Sequence, residues 1–187
     1  MAEVPYGNLE FKAKYLPTAE FLATYPELAG GDAALLTKAL WGSVTNKDIA
    51  SRVATSNWLL DQGADAAHKR DDGCTVLHVF LAVRNRDPQA EAPLLRRLIE
   101  GGADINQRFS HKGKPLEALW AVYNFTDEYL APFYDEFFRR PDLDLLDPGT
   151  IGANDLDRVR KLLPHRQALL ERMEQYLRDH GLVEPPK

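Results

Sequence analysis

Five histidines and a single cysteine, with a few paired acids, are the residues of this chain whose types suit them for chemistry. To hold a metal or relay a proton, His68, His78, His111, His165 and His180 would have to come together in pairs. None of them has the His-x-x-x-His or His-Glu-x-x-His spacing that sets two ligands on one helix face. Cys74 has only His78 close by in sequence as a base that would make it a nucleophile. A Gly-x-Ser-x-Gly elbow, a Walker loop and a Gly-x-Gly-x-x-Gly fingerprint are all missing. The acids Asp127-Glu128 and Asp135-Glu136 have helical spacing, which reads as a solvated face, and they compete with other surfaces for a basic partner. Asp142-Leu143-Asp144 has the look of a metal-type acidic motif but falls in a turn between elements. The expectation is a chain that is not an enzyme, with no metal and no cofactor.

The elements that would position these residues follow from a repeat. Leu59-Leu60-Asp61-Gln62-Gly63-Ala64-Asp65 recurs 39 residues later as Leu98-Ile99-Glu100-Gly101-Gly102-Ala103-Asp104. The same phase carries Val76-Leu77 onto Pro115-Leu116, and Leu94, Leu95, Leu98 and Ile99 onto Phe133, Tyr134, Phe137 and Phe138. With Tyr129 and Leu130, the last four make one apolar stripe on a helix, so these aromatics are expected in a core. Gly63 and Gly102 stand just past amphipathic helices, where a left-handed residue stops the helix and glycine adopts that conformation at least cost.

These pieces resemble the ankyrin repeat, whose signature has Gly-x-Thr-Pro-Leu-His opening a first helix and Leu-Leu-x-x-Gly-Ala-Asp closing a second. Gly73, Thr75, Leu77 and His78 carry the first motif, with Val76 in place of the proline. The second is complete at Leu59 to Asp65 and nearly so at Leu98 to Asp104. An ankyrin unit has about 33 residues, so the longer period implies an insertion between paired helices around Arg84 to Pro93. In the third unit Lys114 and Glu117 replace the Thr and His, and Arg139-Arg140-Pro141 replaces the glycine turn. The resemblance implies that Thr75 and His78 are structural, holding the turn and the neighbouring unit.

The implied fold is all-α: an ankyrin-like helical repeat solenoid of about three to four helix pairs with N- and C-terminal caps. Residues 1–31 would be an N-terminal cap segment with a short helix around Thr18 to Leu28. Residues 32–149 would form the repeats, beginning with a helix at Leu35 to Trp41 and another at Asn46 to Asp61. Residues 150–187 would form a C-terminal capping pair, Asp155 to Leu163 and Arg166 to Asp179, broken at Pro164.

Bulk properties agree with such a domain. The chain has 187 residues, enough to bury a core without disulfides. Its start lacks the basic and apolar segments of a secretory signal, it has no apolar run of bilayer length, and one cysteine fits a reducing compartment, so a cytoplasmic address and no membrane partner are expected. A net charge of -5 argues against nucleic acid as a partner.

The resemblance implies a protein-binding module acting through the concave surface and the finger loops between units. The residues expected at that contact are Lys69, Arg70, Asp71 and Asp72 in one finger, and Arg108, Phe109, His111 and Lys112 in the next. Arg84 and Tyr123 are expected at inner-helix ends. Trp41 and Trp120 fit either the core or the groove. Small chains of this kind resemble bacterial immunity proteins, which makes a cognate toxin one expected partner; a general adaptor with a housekeeping partner is the alternative.

Overall fold

The computed structural model describes residues 9–28, 30–109, 113–121, 123–149 and 152–182. Among them the secondary structure is helical, with α1 (Leu9–Tyr15), α2 (Thr18–Thr24), α3 (Ala33–Ser43), α4 (Ile49–Asp61), α5 (Val76–Leu81), α6 (Pro88–Glu100), α7 (Glu117–Trp120), α8 (Asp127–Phe138), α9 (Asp155–Arg160) and α10 (Gln167–Asp179). A 3-10 turn at Pro26–Leu28 follows α2, and a lone antiparallel bridge joins Lys69 to Thr75. No helix among the described residues is long and apolar enough to cross a membrane.

Local chemistry sets the boundaries. Asp87 starts α6 by accepting the Gln89 and Ala90 amides, Pro88 fills the first helical position, and the Glu91 carboxylate reaches back to the Asp87 amide at 2.6 Å. This reciprocal cap satisfies donors that a helix start otherwise leaves orphaned. Asp32, Asp48, Thr126 and Asn154 start α3, α4, α8 and α9 through side-chain oxygens. Gly63 and Gly102, at φ of 99° and 96°, end α4 and α6 in the left-handed region. The next amides, of Ala64 and Ala103, turn back to the Leu59 and Leu98 carbonyls at 2.9 and 3.0 Å. The link from α5 to α6 ends at Asp87, earlier than Pro93, which sits inside α6.

The helices pack in two rows. First helices touch along α1, α3, α5 and α7, and second helices along α2, α4, α6, α8 and α10. Residues 9–28 therefore supply a helix pair that packs as the later ones do: α1 lies on α3 with Gly42 under the Glu10 backbone, and Thr18 bonds Thr55 of α4 at 2.9 Å. Counting this pair and the last, five helix pairs follow one another among the described residues. The aromatics Phe133, Tyr134 and Phe137 are buried in the shared core and Phe138 packs against it, whereas Tyr129 is exposed.

The sequence period reappears as hydrogen bonding between adjacent pairs. Arg52 meets Glu91 and Arg108 meets Asp147, each 39 residues apart, and Arg166 meets Asp127 at the same interval in the opposite sense. Finger geometry repeats too: the Arg70 amide bonds the Cys74 carbonyl at 3.0 Å, and 39 residues on the Phe109 amide bonds the Gly113 carbonyl at 3.0 Å.

Candidate interaction surface

His78 illustrates how the fingers are held. Its Nδ1 accepts the Thr75 amide at 3.1 Å and lies 2.9 Å from the Thr75 hydroxyl, which leaves Nε2 to donate to the Gly113 carbonyl of the next finger at 3.1 Å. Burial pushes the imidazole below its ordinary pKa, which suits a neutral ring with this fixed tautomer. Cys74 is buried beside it, with Sγ 3.8 Å from the Thr75 carbonyl.

In the divergent third unit the same positions carry charge. Glu117 accepts the Lys114 amide at 3.0 Å, as His78 does for Thr75, and its other oxygen meets Arg158 of α9. Lys114 bonds the Asp144 carbonyl and stands 3.3 Å from Asp155, a buried carboxylate aligned with no hydrogen-bond donor among the described residues. Desolvation raises the pKa of Asp155 to about 6, partly opposed by Lys114. At this position on the first-helix side, the bond from the second unit to the third is thus neutral, and the bond from the third to the last pair is ionic.

The residues expected to contact a partner do not converge. Lys69 is exposed and bonds Gln107 at 3.2 Å, while Asp71 and Asp72 are exposed at the tip, where Asp72 accepts the Cys74 amide at 2.9 Å. Arg84 is exposed in the link after α5. Arg108 and Phe109 turn inward instead. Arg108 donates to the Asp147 side chain at 2.9 Å and its carbonyl at 2.8 Å, lying against Gly149 of the next finger. Phe109 packs on the core with its ring edge-on to His78, 5.4 Å between centroids. Tyr123 is 62% exposed and lines a separate cleft of about 280 Å³ with His165, at the starts of α8 and α10. His111 and Lys112 lie outside the described residues.

On the acidic face most of the carboxylates are paired with arginines. Asp127 is buried against Arg166, Glu136 against Arg96 and Arg139, Asp135 pairs with Arg172 and Asp142 with Arg140. Asp135 and Asp142 stay exposed within their pairs, and Glu128 stays exposed beside Thr126.

One groove brings a finger residue together with residues that the spacing did not single out. It holds about 350 Å³ along α3 from Ala33 to Trp41, between Glu10 of α1 and the finger after α4. Arg70 lies flat on Trp41, its guanidinium carbon 3.9 Å from the ring centroid, and its Nη2 bonds both carboxylate oxygens of Glu10 at 3.0 and 3.2 Å. His68 meets the edge of Trp41 at 6.1 Å, and Lys38 completes the wall. Trp41 is therefore both core and floor, whereas Trp120 is buried with Arg158 over its ring. Lys38 sits one turn before Trp41 as the one charge on α3, a readable signal; Glu10, sixty residues from its partner, offered none.

No protein-family model matches the chain, and no curated protein sequence matches it. A solved structure does: the crystal structure of a functionally unknown protein from Leptotrichia buccalis C-1013-b is 21% identical, with a TM-score of 0.73 over 94% of this chain and 96% of that one. At that identity the likeness is one of fold.

Proposed function

We propose that this chain is a non-catalytic, protein-binding module of divergent ankyrin-type repeats, and that it meets its partner with the groove between α1, α3 and the finger at residues 64–75. The repeat reading is supported by the Thr75–His78 box, by the left-handed glycines after α4 and α6, and by bonds that recur at the sequence period.

The observation that carries the binding reading is where the molecule spends its charges. On the second-helix row they close inter-unit pairs, such as Arg96 with Glu136, Arg97 with Asp61 and Arg172 with Asp135. The groove instead offers an aromatic floor, a stacked arginine and Lys38, which makes no ion pair among the described residues. Aromatic and arginine side chains held rigidly in a concave site are the groups that dominate protein interfaces.

Affinity purification from the native host with mass spectrometry tests this, comparing wild type, the groove variant Lys38→Glu and the second-row variant Arg178→Glu. One protein retained by wild type and Arg178→Glu and lost from Lys38→Glu is expected. Equal retention by all three, or none, overturns the reading. The finer form, an immunity protein that neutralises a cognate toxin, predicts that co-expression restores growth to cells making that toxin and that the two chains co-elute.

A further inference from the structure

We infer that the groove recognises a carboxylate side chain of the partner protein, seated on Arg70 over the Trp41 floor, and that Glu10 occupies this position as an intramolecular placeholder. The inference rests on the protein-binding reading and adds the chemistry of what is bound.

A guanidinium has five N–H donors in a rigid fork. Arg70 spends only Nη2, which bonds both oxygens of Glu10, so Nε and Nη1 keep their hydrogens unused among the described residues. Stacking on Trp41 fixes the plane of that fork, so little freedom is lost when a carboxylate docks on it. Lys38 lines the same groove without an ion-pair partner among the described residues.

Of the two acids in the groove, Glu10 pairs with Arg70, and Asp65 gives one oxygen to the Ala67 amide at 2.8 Å while making no ion pair among the described residues. The free N–H donors of Arg70 and Lys38 still outnumber the one free oxygen of Asp65, and their complement is a group that only accepts, a carboxylate. Glu10 is replaceable. The Glu10–Arg70 pair is about half exposed on both sides and forms through one nitrogen rather than as a two-nitrogen fork. Such an exposed pair contributes little to stability, whereas a side-on carboxylate using Nε and Nη2 together makes the stronger bidentate pair.

The same geometry predicts the sign of a mutation. For a basic partner, Glu10 would be a contact and its loss would weaken binding. For an acidic one, Glu10 is a competitor and its loss strengthens binding.

The probes are the capped tripeptides acetyl-Leu-Glu-Leu-amide, acetyl-Leu-Gln-Leu-amide and acetyl-Leu-Lys-Leu-amide, titrated to millimolar concentration into the ¹⁵N-labelled full chain. The indole N–H of Trp41, assigned with Trp41→Phe, and the Nε–H of Arg70 are the reporters. The Glu peptide is expected to give a saturable shift that the Gln and Lys peptides do not. Glu10→Gln should tighten it about two- to fivefold, and Arg70→Gln should weaken it about tenfold or more. Preference for the Lys peptide, equal response to Gln, weaker binding by Glu10→Gln or no saturable shift each overturns the inference. A Lys or Gln peptide seated in the groove would overturn the carboxylate while leaving the protein-binding reading standing; that reading fails on the Lys38→Glu comparison instead.

Discussion

A side chain in this molecule is best understood by the bond it makes one unit away. His78 and Glu117 stand at equivalent positions 39 residues apart, and each accepts the amide three residues before it while reaching outward to the next unit. Replacing His78 with Ala leaves the buried Thr75 amide and the Gly113 carbonyl without these partners, so a loss of about 1–3 kcal/mol is expected in urea unfolding. A larger loss belongs to Arg52 and Glu91, an ion pair withdrawn entirely from solvent. There Glu91→Ala strands a buried guanidinium and should cost about 3–5 kcal/mol, while the double change Arg52→Met with Glu91→Leu should recover most of it. Recovery no better than the sum of the single losses would show that the Arg52 bonds to the Asn46 and Asn85 carbonyls, at 2.8 and 2.9 Å, carry the effect instead.

At the scale of elements, the close approach of α1 to α3 sets a clear test. A Cβ on Gly42 would collide with the Glu10 carbonyl. Alanine ordinarily favours a helix interior over glycine by about 1 kcal/mol, yet here Gly42→Ala should destabilise, because the clash is with backbone that cannot rotate away. Circular dichroism melting reads the sign, and a raised Tm would mean that α1 is displaced without cost. This contact also explains what was legible in the sequence. Gly63 and Gly102 could be read because a left-handed stop requires a particular residue at a particular place. The pairing of α1 with α2 could not, since Leu16 and Pro17 join them with no glycine turn, and α1 docks through a glycine on its neighbour. The groove was half legible: Arg70 could be found as a finger charge, but its stacking on Trp41 and its bond to Glu10 depend on chain segments that only the fold brings together. Arg108, in the next finger, gave an equally open signal and turns inward because Asp147 waits in the finger beyond it.

For the whole molecule, a stack in which each pair touches its neighbours should respond to pH locally, and its two kinds of inter-unit link should respond in opposite directions. Burial holds the His78 pKa below its ordinary 6.5, so protonation favours the unfolded chain. Its contribution is complete above pH 6.5 and is lost as the pH falls through the lower folded value. Asp155 is the reverse case, raised from 3.8 to about 6 by desolvation, with Glu117 adding to the rise and Lys114 and Arg108 opposing it. Its contribution is complete below pH 3.8 and is lost as the pH rises through about 6. Hydrogen exchange at pH 5 and pH 7.5, corrected for intrinsic rates, should therefore show α5 and its finger less protected at pH 5, and α9 with α10 less protected at pH 7.5. Asp155→Asn should flatten the second response and leave the first intact. If both regions instead gain and lose protection together at each pH, the chain opens as one cooperative body, and the independence that the two-row stacking implies does not hold.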